Sequence, residues 1–92
     1  MEFEWDENKN LENIKNHEIS FEQSVVAFDD PFALSLEDPE HSDENETRYA
    51  LVGLCEVGLI FVSFTYTDKN IRLISARNST KTMIKKYEYQ KF

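Results

Sequence analysis

The chain has 92 residues, of which 40% are hydrophobic and 30% charged, with a net charge of −8. That length makes a single domain with no room for a second core or a large enclosed ligand cavity. The lone Cys55 excludes an internal disulfide, and no run is long and apolar enough to span a bilayer or to act as an export leader, so a soluble, cytoplasmic protein is expected.

Residues 2–5, Glu-Phe-Glu-Trp, alternate polar and apolar and predict a short edge strand. Asp6 stands where an N-cap would, ahead of a helix in which Leu11 and Ile14 form only a narrow apolar stripe. A helix so patterned is largely exposed or lies against a partner. Ser20 and Gln23 have capping-box spacing, and Phe21, Val25 and Phe28 follow at i, i+4 and i+7, so a short second helix should pack on the core. Pro31 ends it, because the residue before a proline is pushed out of the helical region.

Residues 32–36 alternate as a strand, and residues 37–46 carry a proline, a run of acids and almost nothing apolar, the pattern of a loop. Three strands follow over 47–55, 59–66 and 71–77, joined by turns at 56–58 and 67–70. Connections this short force antiparallel neighbours. Residues 78–90 close the chain as a helix with Thr80, Met83, Ile84 and Tyr87 on its apolar stripe. The expected fold class is α+β: a small antiparallel sheet of about four strands, ending in the meander, with two N-terminal helices and one C-terminal helix segregated to one side.

Charge is unevenly spread. Residues 1–68 hold three basic residues against seventeen acidic ones, whereas residues 69–92 hold seven against Glu88 alone. A local basic surface can govern contact with phosphate even when the whole molecule is acidic; equally, the basic tail can serve only to neutralise its acidic neighbours. Within that region Arg72 and Arg77 flank a strand. Regular alternation puts them on opposite faces, unless the strand bends or ends before Arg77. Each reads either as a phosphate ligand or as a structural arginine paired with a carboxylate.

The loop offers His41, Ser42, Glu46 and Arg48 within eight residues, which is either acid–base machinery or a solvated acidic loop. Ser42 has no nucleophile motif around it. Lys9 lies on the thin first helix. Lys81 and Lys85 make a row on the last helix, with Lys86 beside them, that is either an RNA-facing rail or a solubilising face. Cys55, among Leu51, Val52 and Leu54, reads as a small core residue. His17 and His41 show no zinc-site spacing, and no metal or cofactor is expected.

Taken together, residues 3–17, 20–31, 38–48, 71–77 and 85–88 resemble the BrnT toxins of bacterial type II toxin–antitoxin systems. The most specific signatures are Phe-Glu-Trp-Asp followed by Lys9, an asparagine and His17, then Ser-Phe-Glu at 20–22, and the closing Ile-Arg-Leu-Ile-Ser-Ala-Arg. The resemblance implies a RelE-like, metal-independent ribonuclease, neutralised by a BrnA-type ribbon-helix-helix antitoxin that alone touches operator DNA. It also implies catalytic roles for Arg72, Arg77, Arg48, His41 and Glu46 and matches Lys9 to the first-helix lysine; Lys81 and Lys85 are expected toward RNA from their charge row alone, together with Lys9. Three positions depart from the family pattern. Glu18 stands where the family has glycine, Gly58 is followed by Leu59 rather than arginine, and Met83 replaces a glutamate. A chain without that carboxylate has an alternative role as a binding module that only pairs with its antitoxin.

Overall fold

The computed structural model describes residues 2–91. Five strands form one sheet in the order β1-β5-β4-β3-β2: β1 Glu2–Glu4, β2 Leu34–Glu37, β3 Arg48–Cys55, β4 Gly58–Tyr66 and β5 Asn70–Asn78. Three helices accompany it, α1 Glu7–His17, α2 Phe21–Val25 and α3 Lys81–Lys91, with 3-10 turns at Val26–Asp29 and Pro39–His41. No helix among the described residues is long and apolar enough to cross a membrane.

The expected α+β class and the antiparallel β3-β4-β5 meander are present. The sheet is nonetheless mixed and has five strands. β1 lies parallel to β5, with Glu2 opposite Asn70 and Glu4 opposite Arg72. A first strand pairs with the last only once the chain between them has folded, so no local signal sets that direction.

One face of the sheet carries the main core. Ile60, Val62 and Phe64 of β4 and Leu73 and Ala76 of β5 are buried there with Ile19, Phe21 and Ala27. The approach is close enough that a Cβ on Gly53 would come within 2.6 Å of the Ala27 carbonyl oxygen. The capping box of α2 forms as expected, with Ser20 and Gln23 bonded reciprocally.

The first helix is seated by amides rather than by its apolar residues. Leu11 and Ile14 are exposed, while Asn10 and Asn13 are buried. The Asn13 amide donates to the carbonyls of Ile19 (2.8 Å) and Ala76 (2.9 Å), and its oxygen accepts from the Ala76 N–H at 3.0 Å. β1 covers the outer edge of β5 only as far as Arg72. Asn13 takes over at Ala76, satisfying backbone groups that would otherwise be buried without partners. The helix ends at Glu18, which adopts the left-handed conformation (φ 60°, ψ 29°).

The C-terminal helix does not join the other two. Ala50 and Val52 alternate with the core-facing Leu51 and Gly53, so they point to the opposite face, yet they are 1% and 0% exposed. α3 contacts β3 and covers them. Thr80 is its cap rather than part of its stripe, accepting from the Met83 N–H. Tyr87 is buried and donates to Asp30 at 2.5 Å, and the same Asp30 oxygen accepts from the Leu54 N–H. Burial and the Asp30 carboxylate push the Tyr87 phenol up to about 12. Gln90 donates to the Phe32 carbonyl and holds the end of α3 beside β2. α3 thus covers the β2–β3 half of this second face and leaves the β4–β5 half open.

Candidate active site

The open half owes its chemistry to an irregularity in β5. Ser75 pairs with Ser63, but Leu73 pairs with the next residue of β4, Phe64, so Ile74 is an extra, bulged residue. A bulge resets the alternation of a strand. Leu73 and Ala76 consequently both face the core, although three positions separate them. By the same reset Arg72 and Arg77 emerge on one face, the open one.

The register then lays out three cross-strand rows on that face. Arg48, Thr65 and Arg72 form the first, Ala50, Ser63 and Ser75 the second, and Val52, Phe61 and Arg77 the third. Arg72 and Arg77 are therefore about 13 Å apart along the strand. The small Ser63 and Ser75 in the middle row leave a floor between larger neighbours. A cleft of about 250 Å³ lies above it, lined by His17, Asp38, His41, Arg48, Phe61, Ser63, Ile74, Ser75 and Arg77.

Arg77 stacks on Phe61, with its guanidinium carbon 4.9 Å from the ring centre. Among the described residues no carboxylate pairs with it. Its charge is held in place but not neutralised, the condition that suits binding of an incoming anion. Arg48, by contrast, donates from Nε to Glu46 at 3.0 Å. Arg72 donates to Glu4 from both Nε and Nη2, at 3.2 and 3.0 Å. Hydrogen bonds from Asn70, then from Arg72, hold the Glu4 carboxyl below its usual range.

His41 reaches the cleft from the acidic loop. Its Nδ1 lies 2.8 Å from the Asp38 carboxylate. A carboxylate only accepts, so it fixes the proton on Nδ1 and leaves Nε2 free to take one. Ser42 serves the loop rather than the reaction. Its hydroxyl accepts from the Arg48 N–H at 2.8 Å and donates to the Asp38 carbonyl at 2.7 Å. A backbone bond from Asp38 N–H to Arg48 carbonyl (2.8 Å) closes the same ring, and Asp43 caps Asn45 and Glu46.

Of the residues singled out from sequence, the structure brings Arg77, Arg48 and His41 to one cleft. Glu46 and Arg72 line an adjoining cavity, separated by the Arg48–Glu46 pair. Lys9 lines a third hollow that shares His17, Ile74 and Ser75 with the cleft. Lys81 is exposed on the first turn of α3, and Lys85 borders a groove against Leu34 and Leu36 of β2; neither lines the cleft. Cys55 is buried in the core. His17, Asp38, Ser63 and Ser75 were not legible as cleft residues. His17 and His41 have no local spacing relation, and the serines matter only because the bulge turns them to the same side.

A family model described as "Ribonuclease toxin, BrnT, of type II toxin-antitoxin system" matches residues 5–82, which include every residue lining the cleft. The chain belongs to the BrnT toxin family. No curated relative matches the sequence. Membership places the protein among ribonuclease toxins of type II toxin–antitoxin systems, with RNA as the target and an antitoxin as the partner. Among this BrnT chain's described residues, no three His, Cys, Asp or Glu side chains are grouped as a metal site.

Proposed function

We propose that this BrnT chain is an active, metal-independent endoribonuclease whose cleft holds the scissile phosphate between Arg77 and Arg48. The observation that carries the reading is an Arg77 guanidinium stacked on Phe61, with no carboxylate partner among the described residues, in the same cleft as a histidine oriented by Asp38. RNA supplies its own nucleophile. His41 Nε2 takes the proton from a 2′-OH, and the freed oxygen attacks the adjacent phosphorus. The bond to the 5′-oxygen breaks, leaving a 2′,3′-cyclic phosphate, and His17 from the α1 side of the cleft protonates the leaving oxygen. Arg77 and Arg48 stabilise the extra negative charge on the phosphorane, the largest contribution expected of such a site. Glu46 holds the Arg48 side chain, and Arg72 sits in the same cross-strand row as Arg48, two strands across, where it meets a neighbouring phosphate rather than the scissile one.

The alternative, a module that has lost its chemistry with Met83 in place of a glutamate, is less well supported. Met83 is half-buried on α3 and is not among the residues lining the cleft. The partner that fits the strongly acidic residues 1–68 is a basic one, in keeping with a BrnA-type ribbon-helix-helix antitoxin that carries the operator contacts itself and acts with the toxin in the cytoplasm. Induced expression of the parent and of Arg77→Ala, with total RNA followed in both, tests the reading. The parent should arrest growth and lose RNA, purified parent should cleave RNA in the presence of EDTA, and Arg77→Ala should do neither. Soluble, folded parent that leaves RNA intact would overturn it in favour of the binding module.

A further inference from the structure

The cavity beside the cleft is not needed to hold the scissile phosphate. It measures about 330 Å³, lies at the sheet rim where β4 ends, and shares the Arg48–Glu46 wall with the cleft. Its lining combines a ring, a fixed cation and a set of hydrogen-bonding groups: Tyr66, Arg72, Asn45, Thr47 and Glu46. Tyr66 is 48% exposed and lines the cavity, so much of the side chain is open to solvent there. The ring is not loose. Tyr49 meets it edge-on at 5.0 Å and Phe64 at 5.6 Å, and Phe64 is itself buried in the core. An exposed aromatic face braced by two others loses little freedom when a flat ligand settles on it.

Arg72 supplies the second element. Two of its N–H groups are bound by one Glu4 oxygen, while Thr67 and Asn70 hold the other Glu4 oxygen at 3.1 Å each. The guanidinium is oriented by this bracket and retains further donors for a phosphate. Arg72 stands in the same cross-strand row as Arg48, about 10 Å away across two strand spacings. Tyr66 springs from the covered face, being in alternation with Thr65, but as the last residue of β4 it reaches the cavity around the strand end.

We infer that this cavity is a nucleotide subsite, in which the base next to the cleaved linkage stacks on Tyr66 while its phosphate rests on Arg72. The inference rests on the ribonuclease reading of the cleft and extends it to a second nucleotide of single-stranded RNA. Stacking accepts any base, so the subsite adds affinity and register more than sequence choice.

A 2′-O-methyl oligonucleotide, which lacks the nucleophile and is not cut, separates binding from chemistry. Its affinity is measured for the parent, Tyr66→Ala, Tyr66→Phe and Tyr89→Ala, and the corresponding all-ribose oligonucleotide gives KM and kcat. Tyr66→Ala should bind roughly tenfold more weakly, the order expected for losing one stacked base, with KM raised and kcat unchanged. Tyr66→Phe keeps the ring and should bind as the parent does. Tyr89→Ala removes a tyrosine that is 87% exposed on α3, outside both cavities, and should also be silent. Parent-like binding by Tyr66→Ala would overturn the subsite and leave the cleft untouched, as would a Tyr66→Phe variant as weak as the alanine. A parent that neither binds nor cuts single-stranded RNA would overturn both.

Discussion

On the face packed against Ile19, Phe21 and Ala27, β4 presents Ile60, Val62 and Phe64, none more than 1% exposed. On the other face the same strand presents Phe61, Ser63 and Thr65, in rows with Arg48, Arg72 and Arg77. The covered face is held by apolar contact and by the amide clamps of α1. The open face is short of apolar contact and is held by ion pairs and loop hydrogen bonds. Two of its three arginines are tied to carboxylates, and the third, Arg77, stacks on a ring instead. A small domain that must keep a charged site in register does so by confining its packing to the opposite side of the same strands.

If that division holds, substitutions on the two faces should separate activity from stability. The largest effect is expected of Arg77→Ala, which should lower cleavage at least about a hundredfold and leave the melting temperature nearly unchanged. Asn13→Ala is the sharpest test, because it should cross the division. It strands the Ile19 carbonyl and both backbone groups of Ala76, at a cost of roughly 3–4 kcal/mol in chemical denaturation. Ala76 is next to Arg77, so any folded fraction should also cleave poorly. A variant that loses stability yet cuts normally would show that the clamp holds the fold but not the site.

Gly53→Ala belongs to the covered face alone. The added methyl meets the Ala27 backbone, and the backbone shift should cost about 1–3 kcal/mol while the activity of folded protein is unchanged. The smallest effect is expected where α1 ends. Glu18 bears a side chain in a left-handed conformation that glycine adopts freely. Glu18→Gly should raise stability by about 0.5–1 kcal/mol. A loss of stability instead would mean that the carboxylate does work at the helix end that its geometry does not suggest.

Much of the molecule was readable from local pattern. Alternation located the strands, Ser20 and Gln23 marked a helix start, Pro31 a helix end, and the family signatures ran in order along the chain. The narrow apolar stripe marked α1 as largely exposed, which it is, but periodicity could not show what seats it. Here the inward residues are Asn10 and Asn13, whose amides complete backbone hydrogen bonds of elements elsewhere in the sequence. The paired arginines were visible as residues but not as a pair, because strict alternation separates them.

The sequence by itself determined the element types, the acidic body with its basic C-terminal quarter, and the family, since each rests on neighbouring residues or on their order along the chain. The parallel seating of β1, the placing of α3 on the second face, the bulge at Ile74 and the meeting of His17 with His41 in one cleft were decided only in three dimensions. Each depends on contacts between segments far apart in the chain, where strand register and backbone hydrogen bonding, not local preference, set which side chains meet.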